Sequence, residues 1–444
     1  MSALNPPYTD RRALPISFYP LLSAEDDVDS DAIDRLADTL RQSDPPDRST
    51  LLYIHVPFCE SICRFCGFYR RLTTDFLPLT RSELLDRFST ALAREIELWR
   101  TIIDPRVHSI DSVYIGGGTP SLLSGANIGA IIGTLRRQFD LREDCEITFE
   151  GEVRSIGDPE KLIVLRDLGV TRISFGIQSF HESVRKLNGL QPTLDQIRRC
   201  ADFVRNTGFQ VNVDLMYGLP SQDFEIFMND LSIAVHELRV SHIDLYDTIL
   251  YPNIDLFTRR DVFSGMLPPE EEGVRMLMRA IEFFRSEGFI QLTADDFVRP
   301  GAEYRMKDLI YGSRSGHSQV LAMGPTAVGY LGYTSYRNEV LENYLPSDWR
   351  RPTIQRFRTC DDHERSNRPL IFYPKRLMLN VPDHCIDLSP EGEAILEHQI
   401  SRGLAQRQPD GIVLTTDLGK LWVDSMSAEF LSPSEKRRIF KLVQ

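Results

Sequence analysis

Cys59, Cys63 and Cys66 form a C-x3-C-x2-C run directly behind an apolar, strand-like segment, Tyr53-Ile54-His55-Val56-Pro57-Phe58. Three thiolates this close can ligate three irons of a [4Fe–4S] cube and leave the fourth iron without a protein ligand. An iron with an open position can bind and activate a small molecule, so such a cluster is a reagent as well as an electron carrier. A zinc site is the rival reading, with His55 as its fourth ligand. Zinc sites are usually built from two separated ligand pairs, however, and no second C-x2-C or H-x3-H follows. The cluster is the better reading. The other four cysteines, Cys145, Cys200, Cys360 and Cys385, are isolated and read as packed thiols.

The elements that must position this triplet follow from the pattern around it. From residue 51 onward, β and α signals alternate. Apolar strand-like runs fall at 51–55, 112–115, 146–150, 172–176, 210–215, 241–246 and 289–292, with helix-period segments between them. The first helix opens on a Thr80-x-x-Glu83 capping box and carries Leu84, Leu85, Phe88, Leu92, Ile96 and Trp99 on one face. Others are predicted near 126–139, 159–168, 194–207, 223–238 and 270–286. Six βα units in series imply a parallel sheet with right-handed crossovers. A full barrel needs eight units, so six predict an open, partial barrel.

Parallel barrels place their chemistry at the C-terminal ends of the strands, and the unusual residues cluster there. Cys59 follows strand one, and Gly116-Gly117-Gly118-Thr119-Pro120 follows strand two. Glu150 ends strand three, Gln178 follows strand four, Asp214 ends strand five and Asp247 follows strand six. Glycines at a strand end let backbone groups approach a ligand closely. Glu150 and Asp214 offer carboxylates to hydroxyls or to an ammonium; taken singly, each also reads as a strand-end salt bridge. Tyr53 and His55 share one face of strand one.

Composition sets the outer bounds. The 444 residues predict two domains rather than one, and 42% hydrophobic residues suffice for a large core. Residues 1–50 are polar and Pro/Asp-rich, with an amphipathic stretch near 32–40, and read as an N-terminal extension, partly a lid or arm. The barrel is expected over 51–300. Arg299-Pro300-Gly301 then breaks the chain. A Gly-rich segment (323–333), an Arg-rich stretch (349–376) and a mixed α/β region read as a second domain, 301–444, covering one side of the barrel. The Arg-rich stretch could bind propionates or another acidic substrate, but Asp361, Asp362 and Glu364 interrupt it, so solvated surface is the better reading. The net charge of −13 argues against nucleic acid or an anionic membrane as partner. No stretch approaches the ~18–20 uncharged apolar residues of a membrane span. The first residues lack the basic and apolar regions of a signal peptide. An odd cysteine count with a reactive triplet fits a reducing cytoplasm.

Six segments now combine: YIHVPFC (53–59), GGGTP (116–120), ITFE (147–150), SFGIQSF (174–180), VDLMYGLP (213–220) and Gly324-Pro-Thr-Ala-Val-Gly329. Together, in this order over about residues 50–340, they resemble the HemN-like radical S-adenosylmethionine (SAM) superfamily. The resemblance implies an α/β fold: a partial (βα)6 radical SAM barrel with an N-terminal extension and a C-terminal α/β domain of HemN type. It implies that Cys59, Cys63 and Cys66 hold the [4Fe–4S] cluster and that the free iron chelates the amino and carboxylate groups of SAM. An electron, from a reductase such as flavodoxin or ferredoxin, would then release a 5′-deoxyadenosyl radical. Methylating members, and the coproporphyrinogen III dehydrogenase, bind two SAM molecules. Carried over by motif, Tyr53, Gly117, Glu150 and Val328 would contact the cluster-bound SAM. Phe65, Gly118, Thr119, Gln178, Asp214 and Asp247 would line the second.

Two departures narrow the reading. The dehydrogenase continues to a fourth cysteine, C-x3-C-x2-C-x-C, where this chain has Phe68. Cys66-Gly67-Phe68-Tyr69 looks more like the methylase and ChuW/HutW heme-opening branches. The family also has an arginine after its Gln-x-Phe motif where this chain has Leu190, so a carboxylate contact is lost or moved to Arg185 or Lys186. The implied activity is transfer of a SAM methylene radical to an sp2 carbon of a small aromatic or heterocyclic substrate, giving methylation or cyclopropanation. The alternatives are a heme-opening methyltransferase, a coproporphyrinogen dehydrogenase, and a non-catalytic heme carrier like HemW.

The triplet is directly testable. Cys59→Ala, Cys63→Ala or Cys66→Ala should each abolish reductive SAM cleavage, since losing one thiolate exposes a second iron. Cys145→Ala should leave it near wild type. Wild-type cleavage by the Cys63→Ala protein would remove the assignment.

Overall fold

The predicted strands pair side by side in chain order. The computed structural model describes residues 8, 16, 18–28, 31–42, 49–103, 110–302, 304–312, 318–347, 349–380 and 388–443. Strands β1 (Thr50–Val56), β2 (Ile110–Gly117), β3 (Leu141–Gly151), β4 (Arg172–Gln178), β5 (Gln210–Tyr217) and β6 (His242–Asp247) form one parallel array. Helices Arg81–Ile102, Gly125–Gln138, Pro159–Asp167, Leu194–Asn206 and Phe224–Ser232 return the chain between them. This is the expected partial (βα)6 barrel. Its strands are buried almost end to end because both faces are covered. The Thr80–Glu83 capping box forms, and Leu84, Leu85, Phe88, Leu92, Ile96 and Trp99 are buried as their spacing predicts.

The edges differ from the sequence pattern. The run at 289–292 yields only a two-residue strand, β7 (Ile290–Gln291). It turns back into β8 (Asp296–Val298), which runs antiparallel to β6 and ends the array. At the other edge, β9 (Gln319–Met323) pairs parallel to β1, with Thr50 opposite Gln319 and Ile54 opposite Met323. Periodicity could not reveal β9, because a short, fully buried parallel strand has no alternation. Antiparallel strands β10 (Val328–Leu331), β11 (Thr334–Asn338) and β12 (Ile354–Thr359) extend the sheet, giving the order β12-β11-β10-β9-β1-β2-β3-β4-β5-β6-β8-β7. Residues on both sides of position 300 share this sheet and one hydrophobic core.

The N-terminal segment packs on the far edge of the sheet. Asp27 bridges to Arg356 of β12, the buried Tyr19 hydroxyl donates to Glu435, and Arg438 pairs with Asp26 at 2.8 Å. The Arg-rich stretch is solvated only in part: Arg350 and Arg351 are exposed. Its helix, Asp362–Arg376, buries Arg368, Lys375 and Arg376. Arg368 lies over the rings of Tyr330 and Phe372 (4.1 and 5.0 Å), and Arg376 meets Asp308 at 3.2 Å. Asp361 and Glu364, two of the acids that suggested solvation, form the capping box of this helix.

One buried acid ties the barrel to the added strands. Glu95 accepts hydrogen bonds from Gly324 N (2.8 Å), Asn338 Nδ2 (2.9 Å) and Tyr344 Oη (2.6 Å). Burial pushes its carboxyl up to about 7. Glu95→Ala would strand three buried donors at about 1–3 kcal/mol each. The expected loss, read from urea unfolding, is at least about 3 kcal/mol, with a smaller loss for Glu95→Gln. Equal stability of the alanine variant would show that this knot does not hold the strands.

Candidate active site

Register brings the strand ends into one rim. Val56 stands opposite Gly117, Glu150 opposite Ser174, Gly176 opposite Asp214 and Tyr217 opposite Asp247. Two adjoining cavities open at this rim. The smaller, about 220 Å³, is lined by Cys59, Cys63, Cys66, Phe65, Gly118, Thr119, Gln178, Leu190 and Asp214, among others. The larger, about 380 Å³, is walled by Tyr53, Tyr114, Tyr217, Tyr246, Tyr251 and Tyr311 and also takes in Asp247. Phe68, Gly117 and Glu150 line both.

The cysteine loop is pinned at both ends, since Phe58–Cys59 pairs in parallel with Arg71–Leu72. Within it, Cys66 N donates to Cys63 O (3.2 Å), and Arg64 is held by Asn188 O. The Thr119 hydroxyl reaches Cys59 Sγ at 3.5 Å. Burial pushes all three thiols up, Cys63 to about 12, while the Arg70 guanidinium pulls them back. His55 is not available as a fourth ligand. Burial lowers its pKa to about 4, so the ring is neutral. Its Nε2–H donates to Tyr69 O (3.0 Å), which leaves Nδ1 to accept from the Tyr53 hydroxyl (2.9 Å). Three converging thiols without a fourth protein ligand fit a cube with one open iron and not a closed zinc site. Cys145, Cys200 and Cys360 line neither cavity; Cys385 lies outside the described residues.

The strand-end residues surround this loop. Gly117 has φ +115°, and a Cβ there would stand 2.6 Å from His55 Nδ1. Glu150 accepts from Gly117 N (2.9 Å) and from the Tyr114 hydroxyl. Burial pushes its carboxyl up to about 7. Asp214 is raised well above the usual range by burial and by the nearby carboxylates of Asp244 and Glu150. Gln178 is held in the left-handed region (φ +68°), and its buried Oε1 has no hydrogen-bond partner. A strained residue with an orphaned acceptor at a cavity wall is what a donor-bearing ligand would satisfy.

Val328 opens β10 and lines neither cavity. Leu190 faces the smaller cavity and brings no charge to it. Arg185 does not replace it. It is buried and donates to the carbonyls of Ile177, Ser179 and Pro192. Lys186 is exposed and lines neither cavity. The arginines at the cavity are Arg70 and Arg154, and Glu152 holds Arg154 at 3.0 Å. Sequence reasoning missed the tyrosine wall and the lysines behind it. Tyr114 and Tyr246 sat on recognised strands and could have been found from side-chain alternation; Tyr311 and Lys375 come from distant segments and could not.

Comparison with known proteins places this geometry. The model of the Radical SAM superfamily matches residues 53–232. The chain is 31% identical over 336 residues to anaerobilin synthase of Escherichia coli O157:H7, covering 75% of this chain and 71% of the relative. It is 28% identical to the oxygen-independent coproporphyrinogen III oxidase of Escherichia coli K12, over 68% of this chain and 66% of that protein. It is also 28% identical to the heme chaperone HemW of Lactococcus lactis, over 64% and 71%. The solved structure of the Escherichia coli coproporphyrinogen III oxidase HemN superposes with a TM-score of 0.77 at 24% identity, over 93% of this chain and 96% of that one.

Glu150 gives the site a pH signature. Its folded value, about 7, lies above the ordinary 4.5, so the folded protein holds this proton more tightly than the unfolded one. Stability of the cofactor-free protein should therefore fall as pH rises from about 4.5 to 7. Binding of a cation such as SAM should strengthen over the same rise. Both slopes should shrink in Glu150→Gln, read by urea midpoints and by SAM titration; unchanged slopes would assign them to other groups.

Proposed function

This chain belongs to the HemN-like radical SAM enzymes, and from that premise we propose that it uses two SAM molecules to modify an sp2 carbon of a small aromatic or heterocyclic substrate. The family's cofactors are a [4Fe–4S] cluster and SAM. When bound, the cluster and two SAMs supply a carbon radical whose addition and subsequent loss of S-adenosylhomocysteine leave a methyl group or a cyclopropane. The observation that carries the reading is the pair of adjoining cavities with Phe68, Gly117 and Glu150 as common wall.

The chain's own residues divide the work. Cys59, Cys63 and Cys66 hold the cluster. Gly117, Glu150 and Tyr53 present backbone and side-chain groups to the first SAM. Gln178, Asp214 and Asp247, more polar strand ends than one SAM needs, orient the second together with Phe65, Gly118 and Thr119. Val328 keeps at most an indirect role through its strand. The tyrosine wall holds the substrate ring and excludes water. Residues 301–444 act as the substrate-covering part, since Lys375, Leu421, Val423 and Asp424 line the larger cavity. A reductase such as flavodoxin or ferredoxin would deliver the electron in the cytoplasm; among the described residues no helix is long and apolar enough to cross a membrane.

The 31% identity to anaerobilin synthase supports a second reading, in which the same chemistry opens a heme ring. That reading requires tight heme binding. Phe68, standing where the dehydrogenase has its fourth cysteine, supports either of these over decarboxylation.

Labelled SAM tests the chemistry. With a trideuterated methyl group, deuterium is expected in 5′-deoxyadenosine, together with S-adenosylhomocysteine and a product whose new carbon keeps two deuteriums. A product keeping all three, or 5′-deoxyadenosine labelled only from the substrate, would refute the two-SAM reading.

A further inference from the structure

The larger cavity carries charge as well as rings, and its charges are unevenly committed. Each of its three lysines is already paired. Lys307 Nζ lies 2.6 Å from Asp296 and 3.1 Å from Asp244, both buried. Lys375 Nζ lies 2.7 Å from Asp424, and Lys420 Nζ 3.0 Å from Asp417. Moving Lys375 to a ligand carboxylate would leave Asp424 without its counter-ion in a largely buried place, a change that costs several kcal/mol when one partner of such a pair is removed.

Asp295 is the contrary case. It sits in the turn between β7 and β8, its backbone carbonyl fixed by Leu245 N at 2.8 Å. Its side chain lines the cavity, yet among the described residues no hydrogen bond or salt bridge engages its carboxylate. Burial pushes it up to about 6, with Lys307 and Lys375 drawing it down, so it is mostly ionised at neutral pH. An ionised, unengaged carboxylate in a wall whose lysines are already paired selects a donor, and a charged donor most strongly. Tyr251 and Tyr311 line the same cavity, and aromatic residues suit an aromatic body carrying a cation.

We propose that the substrate is an aromatic amine: a ring system that presents an ammonium to Asp295 and brings no carboxylate to this end of the cavity. The proposal rests on the reading of this cavity as the substrate site. It makes Asp295 a specificity-determining residue and disfavours polycarboxylates, porphyrins included.

The test uses the anaerobically reconstituted holoprotein with SAM present. The probes share one aromatic body and differ in the polar end: 2-naphthylmethylamine, 2-naphthalenemethanol and 2-naphthoate, with coproporphyrin III as the polycarboxylate. Dissociation constants are read by calorimetry at pH 7.5. The amine should bind at least tenfold more tightly than the alcohol, and the carboxylate more weakly still. Asp295→Asn should bring the amine to the level of the alcohol and leave the alcohol's affinity as it was. A carboxylate or coproporphyrin III that binds as tightly as the amine, an amine that does not bind at millimolar concentration, or an amine indifferent to Asp295→Asn would overturn the proposal. Should the variant fail to fold, the wild-type ranking decides. The ranking does not depend on the fate of SAM deuterium, so failure here and failure of the two-SAM reading are separately visible.

Discussion

The parallel pairing of β1 on both of its sides is the constraint from which the site follows. Leu51, Leu52 and Ile54 are completely buried between β2 and β9. Leu52, Ile54 and Val56 share one face and Tyr53 and His55 the other, so a slip of one residue would exchange the two sets and carry Tyr53 off the cavity wall. Polar contacts reinforce the register: Asp111 Oδ2 accepts from Thr50 N at 2.8 Å, where the strand begins. At its far end the turn after β9 packs so closely that a Cβ on Gly324 would overlap the His55 carbonyl. Glu95 holds that same glycine from the first helix. The cysteine loop therefore leaves a strand that cannot shift, and the partners of β1 deliver Gly117 and, one strand further, Glu150 to the same level.

Buried charge is handled in two different ways within one barrel. Below the rim, Lys307 sits between Asp244 and Asp296, with His242 Nε2 3.1 Å from Asp244. His242, Asp244 and Asp296 stand close enough to hold a metal ion, but the lysine ammonium already supplies the positive charge. At the rim the pattern is reversed. Three thiols, Glu150 and Asp214 are gathered around Arg70 and Arg154, and burial raises every one of them. Such groups hold their protons more tightly, and something positive entering the site would favour their ionised forms. Cluster irons and a sulfonium are cations of the required kind. The floor thus carries its own counter-ion, and the rim would be completed by ligands.

This division also explains what could be read from the sequence. The cysteine triplet, the glycine turn and the strand-end acids were legible because each is local: a spacing, a turn chemistry, a position at the end of an apolar run. The barrel helices were legible from period and capping, as Thr80–Glu83 shows. What failed was long-range. β9 has no alternation because it is buried on both faces. The Arg368 helix read as surface because its cations find aromatic and acidic partners far away in the chain. The tyrosine wall is assembled from strand ends and from segments after residue 300, so no window of sequence contains it. The Leu190 departure had a consequence that spacing hides: Arg185, the neighbouring cation, is consumed by three backbone carbonyls.

Phe68 joins these lines of argument. It is 68% exposed, unusual for a large aromatic ring on a pinned loop at the mouth of an enzyme. Its ring lies on the boundary between the thiol-lined cavity and the tyrosine-lined one. A cysteine at this place, as in the dehydrogenase pattern, would offer a small polarisable group and a wide passage between the two spaces. A phenyl ring narrows the passage and gives each side an apolar surface. On the function proposed above, a cofactor on one side and an aromatic substrate on the other would each cover part of that surface. Each Å² of apolar ring so covered would contribute roughly 25 cal/mol to binding, and because the one ring borders both cavities, its position would be felt by the occupants of each.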